Sequence, residues 1–347
     1  MKKAIYKIID DTTIHVYDTT QFNIESILKS GQIFRYFGIS SQNAESAKLL
    51  KGDEPYCSGH LVLIESQVAL IRKRLVACQE EGAEYGQCYY DIKCSDCNRV
   101  VQYFDLEINY NVIKQDISAN IAQFLAKNTE KSTKNLLKIS KHIMNFGAVG
   151  GVRILKMPFV ECLVSFIISA NNNIKRFTQT LNTLSERFGR SVSVQNFNSG
   201  LYAFPELDSL SQISEDEFRG MGCGYRAPYL VKTIRMLCDP SLGFDYEILS
   251  RLSNDDLLGK LCSLYGVGDK VARCIMLFAF SRYDVVPVDT WILKSAISLG
   301  IINEGEYTKS NTRQIATKMT DVFGKYAGIF QQYLFYYTQG LRGEFRP

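Results

Sequence analysis

CSLYGVGDKVARC, residues 262–274, is the stretch that determines how the second half of this chain folds. An amphipathic segment precedes it, which Asn254 is suited to cap and which is expected to run to about Leu264. Gly266 and Gly268 then permit positive φ and let another backbone approach closely. The stretch therefore predicts two helices joined by a glycine hairpin.

The N–H groups of this hairpin, and of a second helix that starts at Asp269 or Lys270, are suited to hold a phosphate group. An ordinary pair of helices with a glycine turn and no ligand accounts for the same residues. The hairpin by itself leaves both interpretations open.

Composition places the chain among ordinary globular proteins. It has 347 residues, 46% of them hydrophobic, which is enough for one large or two medium domains and excludes a disordered chain. The formal net charge of +4 and the pI of about 8.4 are compatible with a polyanionic partner but do not require one. Composition does not distinguish an enzyme from a binding module.

The beginning of the chain lacks the pattern of a signal peptide, because Asp10 and Asp11 interrupt its apolar run. No apolar run reaches the roughly 18 residues that a membrane span needs. The 10 cysteines are scattered, which favours reduced thiols. We therefore expect a protein that is neither secreted nor in a membrane: cytoplasmic or nucleoid-associated in a bacterium, nuclear in a eukaryote.

Two periodicities divide the chain. In residues 1–115, segments such as TIHVYDT and VVQYFDLEINY alternate with a period of two, which is typical of an antiparallel sheet with one buried face. In residues 116–347 the apolar positions recur at helical spacing. The predicted fold class is α+β, with an N-terminal antiparallel β-sheet domain followed by an all-helical domain and the polar stretch 111–118 between them.

Asp289 lies nineteen residues after Lys270, in VVPVDTWILK. Pro287 cannot continue a helix and an apolar helical run follows, so Asp289 is expected to be an N-cap. A second interpretation is a carboxylate that faces the lysine amine. Both can hold, because a cap fixes a side chain rigidly, but Ser or Asn would also serve as a cap.

The stretch LYGVGDKVARCI followed by VPVDTW resembles the helix–hairpin–helix motif and Pro-Val-Asp signature of the base-excision DNA glycosylases. Within that superfamily the chain is similar to the 8-oxoguanine DNA glycosylases. Four other stretches match in the family's order, and they are SGQIFRY (30–36), ECLVSFIISANNNIKR (161–176), GCGYRAPYL (222–230) and YAGIFQQYLF (326–335). The resemblance covers most of the chain. It implies a glycosylase domain of the helix–hairpin–helix type, double-stranded DNA with oxidised guanine as the partner, no required cofactor and a monomer.

The resemblance also implies a bifunctional reaction. Lys270 would be the nucleophile that attacks C1′ and forms an imine, and the imine permits β-elimination as in an AP lyase. Asp289 would stabilise the sugar as it becomes cationic. Because a free lysine has a pKa of about 10.4, we expect a desolvated cleft and the helix N-terminus to favour the neutral amine.

The implied pocket binds a base flipped out of the duplex. Cys274 and Phe335 would pack on its two faces, although the commoner interpretation of each is a core residue. Gln331 has the donor and the acceptor needed to read a purine edge. The carbonyl of Gly31 would accept a hydrogen bond from N7–H, which 8-oxoguanine has and guanine lacks, and the carbonyl of Pro287 is a further partner.

The hole left in the duplex also needs contacts, and the resemblance assigns them to two loops. Tyr225 would wedge into the stack, and Asn171 would fill the vacated space. Arg176 and Arg226 would hold the unpaired cytosine, which predicts a preference for cytosine opposite the lesion. Without the resemblance these residues are an ordinary polar helix end and a surface loop.

The glycine hairpin is implied to grip the DNA backbone through Gly266 and Gly268. The carbonyls of Cys262, Leu264 and Val267 match family positions that can hold a structural monovalent or divalent cation, which bridges to phosphate.

Two residues depart from the family's pattern. Asp269 stands beside Lys270 where the family usually has a neutral residue, and its charge opposes loss of the lysine proton unless it points away. Trp291 stands where the family commonly has a histidine that touches the DNA backbone, and its indole N–H can donate one bond in exchange.

Two insertions that the family does not need lie near residues 40–60 and 76–100. Their cysteine and histidine pairs are typical of zinc ligands. The candidate ligands are Cys57, His60, Cys94 and Cys97. The predicted strand order brings both insertions to one end of the sheet, whereas their long separation and the competing Cys88 are against zinc, so no metal site is assigned.

Three other functions are compatible with parts of the pattern. Alkyl-purine glycosylases use the aspartate without the lysine, which Lys270 disfavours. Iron–sulphur glycosylases need a four-cysteine run after the catalytic aspartate, and Cys274 is the last cysteine of this chain. A duplex-binding module without chemistry would not need Lys270, Asp289 and the pocket residues together.

Overall fold

The protein is described here from a computed structural model, which covers residues 5–39, 56–75, 88–127, 136–145, 150–194, 197–302 and 312–340. A six-stranded antiparallel sheet forms its first part. The strands are β1 (Tyr6–Asp10), β2 (Thr13–Val16), β3 (Tyr36–Ile39), β4 (Tyr56–Ile64), β5 (Gln67–Leu75) and β6 (Cys88–Lys93). They lie in the order β1-β2-β6-β5-β4-β3.

The sheet buries apolar side chains on both faces. Ile14, Ile92 and Ile71 lie side by side on β2, β6 and β5 and join the main core. On the other face Leu61 and residues near it form a second apolar cluster with Leu201. The prediction of a single buried face is therefore wrong, because a hairpin from the second half covers part of the outer face.

Helices make up most of the remaining described chain. In the first half they are α1 (Ile24–Lys29), α2 (Cys97–Tyr103), α3 (Tyr110–Lys127) and α4 (Leu136–Asn145). In the second half they are α5 (Phe159–Ser169), α6 (Ile174–Phe188), α7 (Leu207–Ser211), α8 (Glu215–Gly220), α9 (Ala227–Leu237), α10 (Tyr246–Ser250), α11 (Asn254–Cys262), α12 (Asp269–Phe278), α13 (Thr290–Ser298), α14 (Thr312–Phe323) and α15 (Ala327–Gly340). A hairpin of β7 (Ser191–Val194) and β8 (Phe197–Tyr202) follows α6. The predicted α+β fold, sheet first and helices after, is confirmed.

The segment VVQYFDLEINY (100–110) forms the end of α2 and the turn that leads to α3, where the alternation predicted a strand. Asp96 caps α2 by accepting a 3.0 Å bond from the backbone N–H of Arg99. Val100 and Val101, both on this helix, are buried in the core. The cap and the burial of consecutive apolar residues outweighed the local strand propensity.

The polar stretch 111–118, predicted as a connection, lies inside α3. Its polar residues include the exposed positions of an amphipathic helix, whose Ile113 and Ile117 are buried in the core. Apolar residues from both halves belong to that one core. The division into residues 1–115 and 116–347 remains our proposal.

The described residues do not form the zinc site considered above. Cys94 and Cys97 are buried with their sulfurs 3.7 Å apart, and the Cys97 thiol donates to the carbonyl of Asp11 at 3.3 Å. His60 lies on β4, which β5 separates from β6, and burial lowers its pKa. No cluster of three or more potential metal ligands occurs in the described part of the chain. The side chains of Cys57 and Cys88 lie outside it, as do most of the two insertions.

Among the described helices, none combines the length and the apolar character that crossing a bilayer requires.

A fully buried arginine connects several chain segments. Arg153 is 0% exposed, and its guanidinium lies 4.0 Å from the ring centroid of Tyr110. It donates hydrogen bonds to the backbone carbonyls of Gln21, Phe104, Asp105 and Ile108. One charged side chain therefore holds together three segments: the loop at Gln21 before α1, the end of α2 and the turn before α3.

The carboxylate of Asp105 extends this network to the second half of the chain. It accepts hydrogen bonds from the hydroxyls of Tyr110, at 3.1 Å, and Tyr283, at 2.9 Å. Lys156 lies 2.8 Å from its other oxygen. Burial is the first cause that raises the pKa of Tyr283, and the Asp105 charge is the second. The two halves are thus joined by polar as well as apolar contacts.

Replacing Arg153 with Met should destabilise the protein by about 3–5 kcal/mol, because the carbonyls that it binds would stay buried without a donor. The measurement is urea unfolding followed by circular dichroism. Arg190→Met is the matched control, since Arg190 is 71% exposed and pairs only with the exposed Glu206 in the described structure. A loss for Arg153→Met no larger than that of the control would contradict the assigned role.

Candidate active site

The glycine hairpin forms between α11 and α12 as predicted. Helix α12 begins at Asp269, with Gly268 as its N-cap, and Gly266 has φ +79°. A Cβ on Gly266 would lie 3.1 Å from the Tyr229 side chain, so a larger residue would be both strained and crowded. The cap of α11 was predicted wrongly: Ser253 caps it, Asn254 is its first residue, and it ends at Cys262.

Lys270 lies in the first turn of α12, over an aromatic floor. Its Nζ is 5.6 Å from the ring centroid of Phe166 on α5. The Phe166 ring stacks on Phe278 at 5.5 Å and meets Phe34 edge-on at 6.0 Å. The lysine head therefore stands on rigid, buried ring faces that come from three parts of the chain.

The expectation that Lys270 is desolvated is wrong for the chain by itself. Its side chain is exposed to solvent. Among the described residues, the protein provides the aromatic floor, the start of α12 and the Cys274 thiol, so the remaining desolvation has to come from a ligand that covers the side chain.

Asp289 is the N-cap of α13, as predicted. Its Oδ1 accepts two bonds of 2.9 Å, from the backbone N–H groups of Trp291 and Ile292. The side chain is half-buried. Both bonds end on Oδ1, so Oδ2 is the oxygen that can be turned to another partner. The cap therefore occupies one oxygen of this carboxylate and leaves the other available for a ligand.

The thiol of Cys274 is acted on by both Lys270 and Asp289. Cys274 is 4% exposed, and burial raises its pKa. The charge of Lys270 and a hydrogen bond with it act in the opposite direction, whereas the charge of Asp289 adds to the rise. Both charged groups therefore lie within electrostatic reach of one buried sulfur, and Lys270 is also hydrogen-bonded to it.

The fold brings Gly31, after α1, into direct contact with Phe335 on α15. Gly31 has φ +77°, and a Cβ there would lie 2.9 Å from Cε1 of Phe335. Only glycine fits this position without strain or movement of the ring. The Gly31 backbone and the half-buried Phe335 ring therefore form one wall of a shared site.

Gln32, which the sequence did not single out, holds this wall in place. It is 0% exposed, and its amide donates 2.8 Å bonds to Ser30 Oγ and to the carbonyl of Arg153. Its oxygen accepts a 2.8 Å bond from the N–H of Leu155. Gln332 of α15 also donates to the carbonyl of Ser30, at 3.3 Å. The Gly31 carbonyl is thus held by neighbours that are themselves fixed.

Gln331 supplies an unused acceptor at the same place. Its side chain is 4% exposed, and Oε1 has no hydrogen-bond partner among the described atoms. A buried amide oxygen without a donor is costly. Pro287, the further candidate, is buried in the segment that leads to α13. An orphaned acceptor beside Phe335 fits a site that a hydrogen-bonding ligand completes.

The two loops predicted to surround the space left by a flipped base lie next to each other, and Arg226 contacts both of them. Its guanidinium is 7% exposed and donates to the carbonyls of Ala170 and Asn171, the latter at 2.8 Å. It also lies 4.3 Å from the ring centroid of Tyr225. Arg226 therefore holds the Asn171 loop against the Tyr225 loop, a role that the sequence did not predict.

The remaining candidates of these loops face solvent. Tyr225 is 52% exposed, and Asn171 is exposed with φ +52°. Arg176 is exposed in the first turn of α6, which Asn173 caps by accepting a 2.8 Å bond from the Arg176 N–H. Arg176 is thus better placed than Arg226 to meet a ligand from solvent.

The charge of Asp269 is directed away from Lys270. Its carboxylate accepts a 2.8 Å bond from Arg273 Nε and a 3.2 Å bond from Arg313 Nε. The other departure, Trp291, is half-buried, and Lys294 Nζ lies 5.3 Å from its ring centroid. Arg273 could have been found from its spacing of four residues on one helix, whereas nothing in the sequence indicates Arg313 or the Phe166 floor.

Two family profiles match adjacent parts of the chain. Residues 164–321 match the family described as HhH-GPD superfamily base excision DNA repair protein. Residues 14–163 match the N-terminal domain of 8-oxoguanine DNA glycosylase. The two matches together run without a gap from the second strand to α14.

Individual relatives agree with these profiles. The chain is 34% identical over 227 residues to "N-glycosylase/DNA lyase OGG1" of Arabidopsis thaliana, covering 63% of this chain and 62% of that protein. It is 35% identical over 155 residues to "N-glycosylase/DNA lyase" of Saccharomyces cerevisiae, covering 42% and 41% respectively. The matched stretches thus span less than two thirds of these relatives.

A solved structure matches nearly the whole fold. It is the Clostridium acetobutylicum 8-oxoguanine glycosylase/lyase in complex with double-stranded DNA containing cytosine opposite 8-oxoG. The TM-score is 0.74 at 27% identity, and the match covers 97% of this chain and 99% of that one.

Replacing Gly31 with Ala should destabilise the protein by about 1–3 kcal/mol, because alanine is strained at positive φ and its Cβ would press on Phe335. Gly38→Ala is the control, since a Cβ there meets nothing within 4 Å. Thermal unfolding of the two variants measures the difference. Equal melting temperatures would show that the Gly31 turn is not constrained as described.

Proposed function

The chain belongs to the HhH-GPD superfamily of base excision DNA repair proteins, and from this premise we propose that it excises 8-oxoguanine from duplex DNA and cleaves the strand at the resulting abasic site. The observation that carries the proposal is that Lys270 in the first turn of α12 and Asp289 at the start of α13 both act on the buried thiol of Cys274. A relative named for both glycosylase and lyase activities supports it.

The first step is displacement of the base. The neutral amine of Lys270 bonds to C1′ of the deoxyribose, the C1′–N9 bond breaks, and the base leaves with its electron pair and takes up a proton. Opening of the sugar ring then gives an imine between Lys270 and C1′. Loss of a proton from C2′ and cleavage of the C3′–O bond complete the β-elimination, and water releases the lysine.

Asp289 stabilises the positive charge that develops on the sugar. Because two backbone N–H groups fix Oδ1, the carboxylate needs no reorganisation during the step. Its charge is most valuable once the duplex excludes water from the site. The cap of α13 thereby serves as a preorganised electrostatic group.

Duplex DNA supplies the desolvation that the chain lacks at Lys270. The exposed lysine side chain lies over Phe166, and a flipped nucleotide would cover it from the other side. The aromatic floor offers no strong acceptor that would hold a proton on the amine. The lysine is therefore solvated before binding and enclosed in the complex.

The flipped base enters between Cys274 and Phe335. The carbonyl of Gly31 accepts the N7–H bond that distinguishes 8-oxoguanine from guanine, and the orphaned oxygen of Gln331 accepts from the Watson–Crick edge. The carbonyl of Pro287 is a further acceptor. Since a buried polar group without a partner is costly, these contacts also contribute to selectivity.

Two loops and the hairpin hold the DNA. Tyr225 wedges into the stack, Asn171 fills the space of the lost base, and Arg176 contacts the unpaired cytosine. Arg226 already binds two backbone carbonyls, so it contributes chiefly by fixing both loops and by its remaining N–H donors.

The hairpin N–H groups around Gly266 and Gly268 bind backbone phosphate. The carbonyls of Cys262, Leu264 and Val267 would hold a structural cation there. The Leu264 carbonyl accepts only a long, 3.3 Å bond from Val267 N–H and keeps a second lone pair, so it fits as one ligand. The cation would add positive charge where the phosphates approach.

Borohydride trapping on a duplex with 8-oxoguanine opposite cytosine tests the function. The wild-type protein should form a covalent adduct, and Lys270→Gln should reduce the yield at least about 100-fold, because an amide cannot form the imine. Lys141→Gln, which changes an exposed lysine on α4, is the control. Base release without any adduct would indicate a monofunctional glycosylase instead, and neither adduct nor release would exclude this substrate.

Arg176→Ala should relax the preference for cytosine opposite the lesion, by about 10-fold in the ratio of single-turnover rates, because a charged contact to the unpaired base is lost. Its stability should stay within about 0.5 kcal/mol of wild type, since the side chain is exposed. Arg226→Ala, by contrast, should lower the melting temperature. Unchanged relative rates against all four opposite bases would remove Arg176 from this role.

A further inference from the structure

Asp269 and its two arginines form a charge cluster directly beside the nucleophile. Asp269 Oδ2 accepts from Arg273 Nε at 2.8 Å, and Oδ1 accepts from Arg273 at 3.4 Å and from Arg313 Nε at 3.2 Å. Arg273 lies on the same helix, whereas Arg313 comes from α14. A carboxylate next to a nucleophilic lysine is therefore bound from two elements.

Helix geometry separates the cluster from the reacting face. Asp269 and Arg273 form one pair at a spacing of four residues, and Lys270 and Cys274 form the neighbouring pair. The Asp269 side chain thus turns toward α14, on the flank of the helix face that carries Lys270 and Cys274. The cluster touches no reacting atom and can act on Lys270 only through its field.

The sign of that field depends on Arg313. With Arg273 as its one partner, Asp269 would make a neutral pair. The second guanidinium leaves the cluster with one net positive charge. Nearby positive charge favours the free amine of a lysine, and nearby negative charge favours the ammonium.

The other groups around Lys270 do not provide this effect. Asp289 on α13 is negative, Cys274 on α12 is a buried thiol, and Phe166 on α5 is an uncharged ring. Cys262, at the end of α11, is a thiol near Asp269 whose pKa is raised by burial first and by that carboxylate second. Of these described neighbours, only the Asp269 cluster carries net positive charge.

We propose that Arg313 is a positioning residue for the reaction, which turns Asp269 away from Lys270 and makes the cluster cationic, so that Lys270 attacks as a free amine. This inference rests on the proposed function, because it concerns the same nucleophile. Arg313 acts through Asp269 and Arg273 and does not contact substrate in this role.

The test is the pH profile of single-turnover borohydride trapping on the 8-oxoguanine duplex. The trapping rate is expected to rise with pH as Lys270 loses its proton. Arg313→Gln should move the midpoint of this rise to a pH higher by roughly half a unit, which corresponds to about a threefold lower rate below the midpoint. Asp269→Asn should lower the midpoint by a similar amount. The double variant, which again has one net positive charge, should return to the wild-type midpoint.

Two further variants separate charge from structure. Arg313→Lys keeps the charge and should keep the wild-type midpoint. Arg190→Gln removes an equally exposed arginine on a distant hairpin flank and should leave the profile unchanged. Arg313 and Arg190 lie on the surface and Asp269 is partly exposed, so melting temperatures close to wild type are expected.

The outcomes distinguish this inference from the proposed function. Midpoints that coincide for all variants, or a rate lowered by the same factor at every pH in Arg313→Gln, would overturn the role of Arg313 while the trapped adduct still supports the function. A wild-type protein that gives no adduct at any pH would overturn the proposed function and this inference together.

Discussion

The buried guanidinium of Arg153 is the contact on which the arrangement of this protein depends. It binds four backbone carbonyls from three chain segments, none of which could be buried without a donor. The same residue's own carbonyl accepts from Gln32, which fixes the turn at Gly31. A structural charge thereby determines where one wall of the proposed base pocket lies.

Rigidity at the site is obtained mainly from backbone groups. Asp289 is held by two N–H groups at a helix start, Gly31 by the neighbours of its turn, and the Asn171 loop by Arg226. Lys270 differs, since its side chain is exposed to solvent and its neighbours are side chains, the Phe166 ring and the Cys274 thiol. Such a division suits a reaction in which the electrostatic groups stay fixed and the nucleophile moves onto C1′.

The residues of this site differ in how far the protein itself shields them from water. Cys274 and Gln331 of the proposed pocket are buried by the protein, whereas the proposed nucleophile Lys270 is exposed to water. An enclosed lysine would be costly in the absence of substrate and would slow access to it. In the proposed reaction, desolvation by the duplex would make the amine reactive only where a nucleotide is bound. The cationic cluster at Asp269 would act on the amine through space.

The sequence by itself determined the hairpin, the start of α12, the cap at Asp289 and the order of sheet and helices, because each depends on local rules: glycine at positive φ, a capping side chain before an apolar helix, and periodicity. It misassigned 100–110, where a cap at Asp96 and burial from the core outweighed alternation, and it placed the α11 cap one residue late. Only the tertiary structure decided the exposure of Lys270, the Phe166 floor, the clamp by Gln32 and the bond from Arg313 to Asp269. These join residues tens to hundreds of positions apart, and no local pattern specifies which distant side chains meet when helices pack.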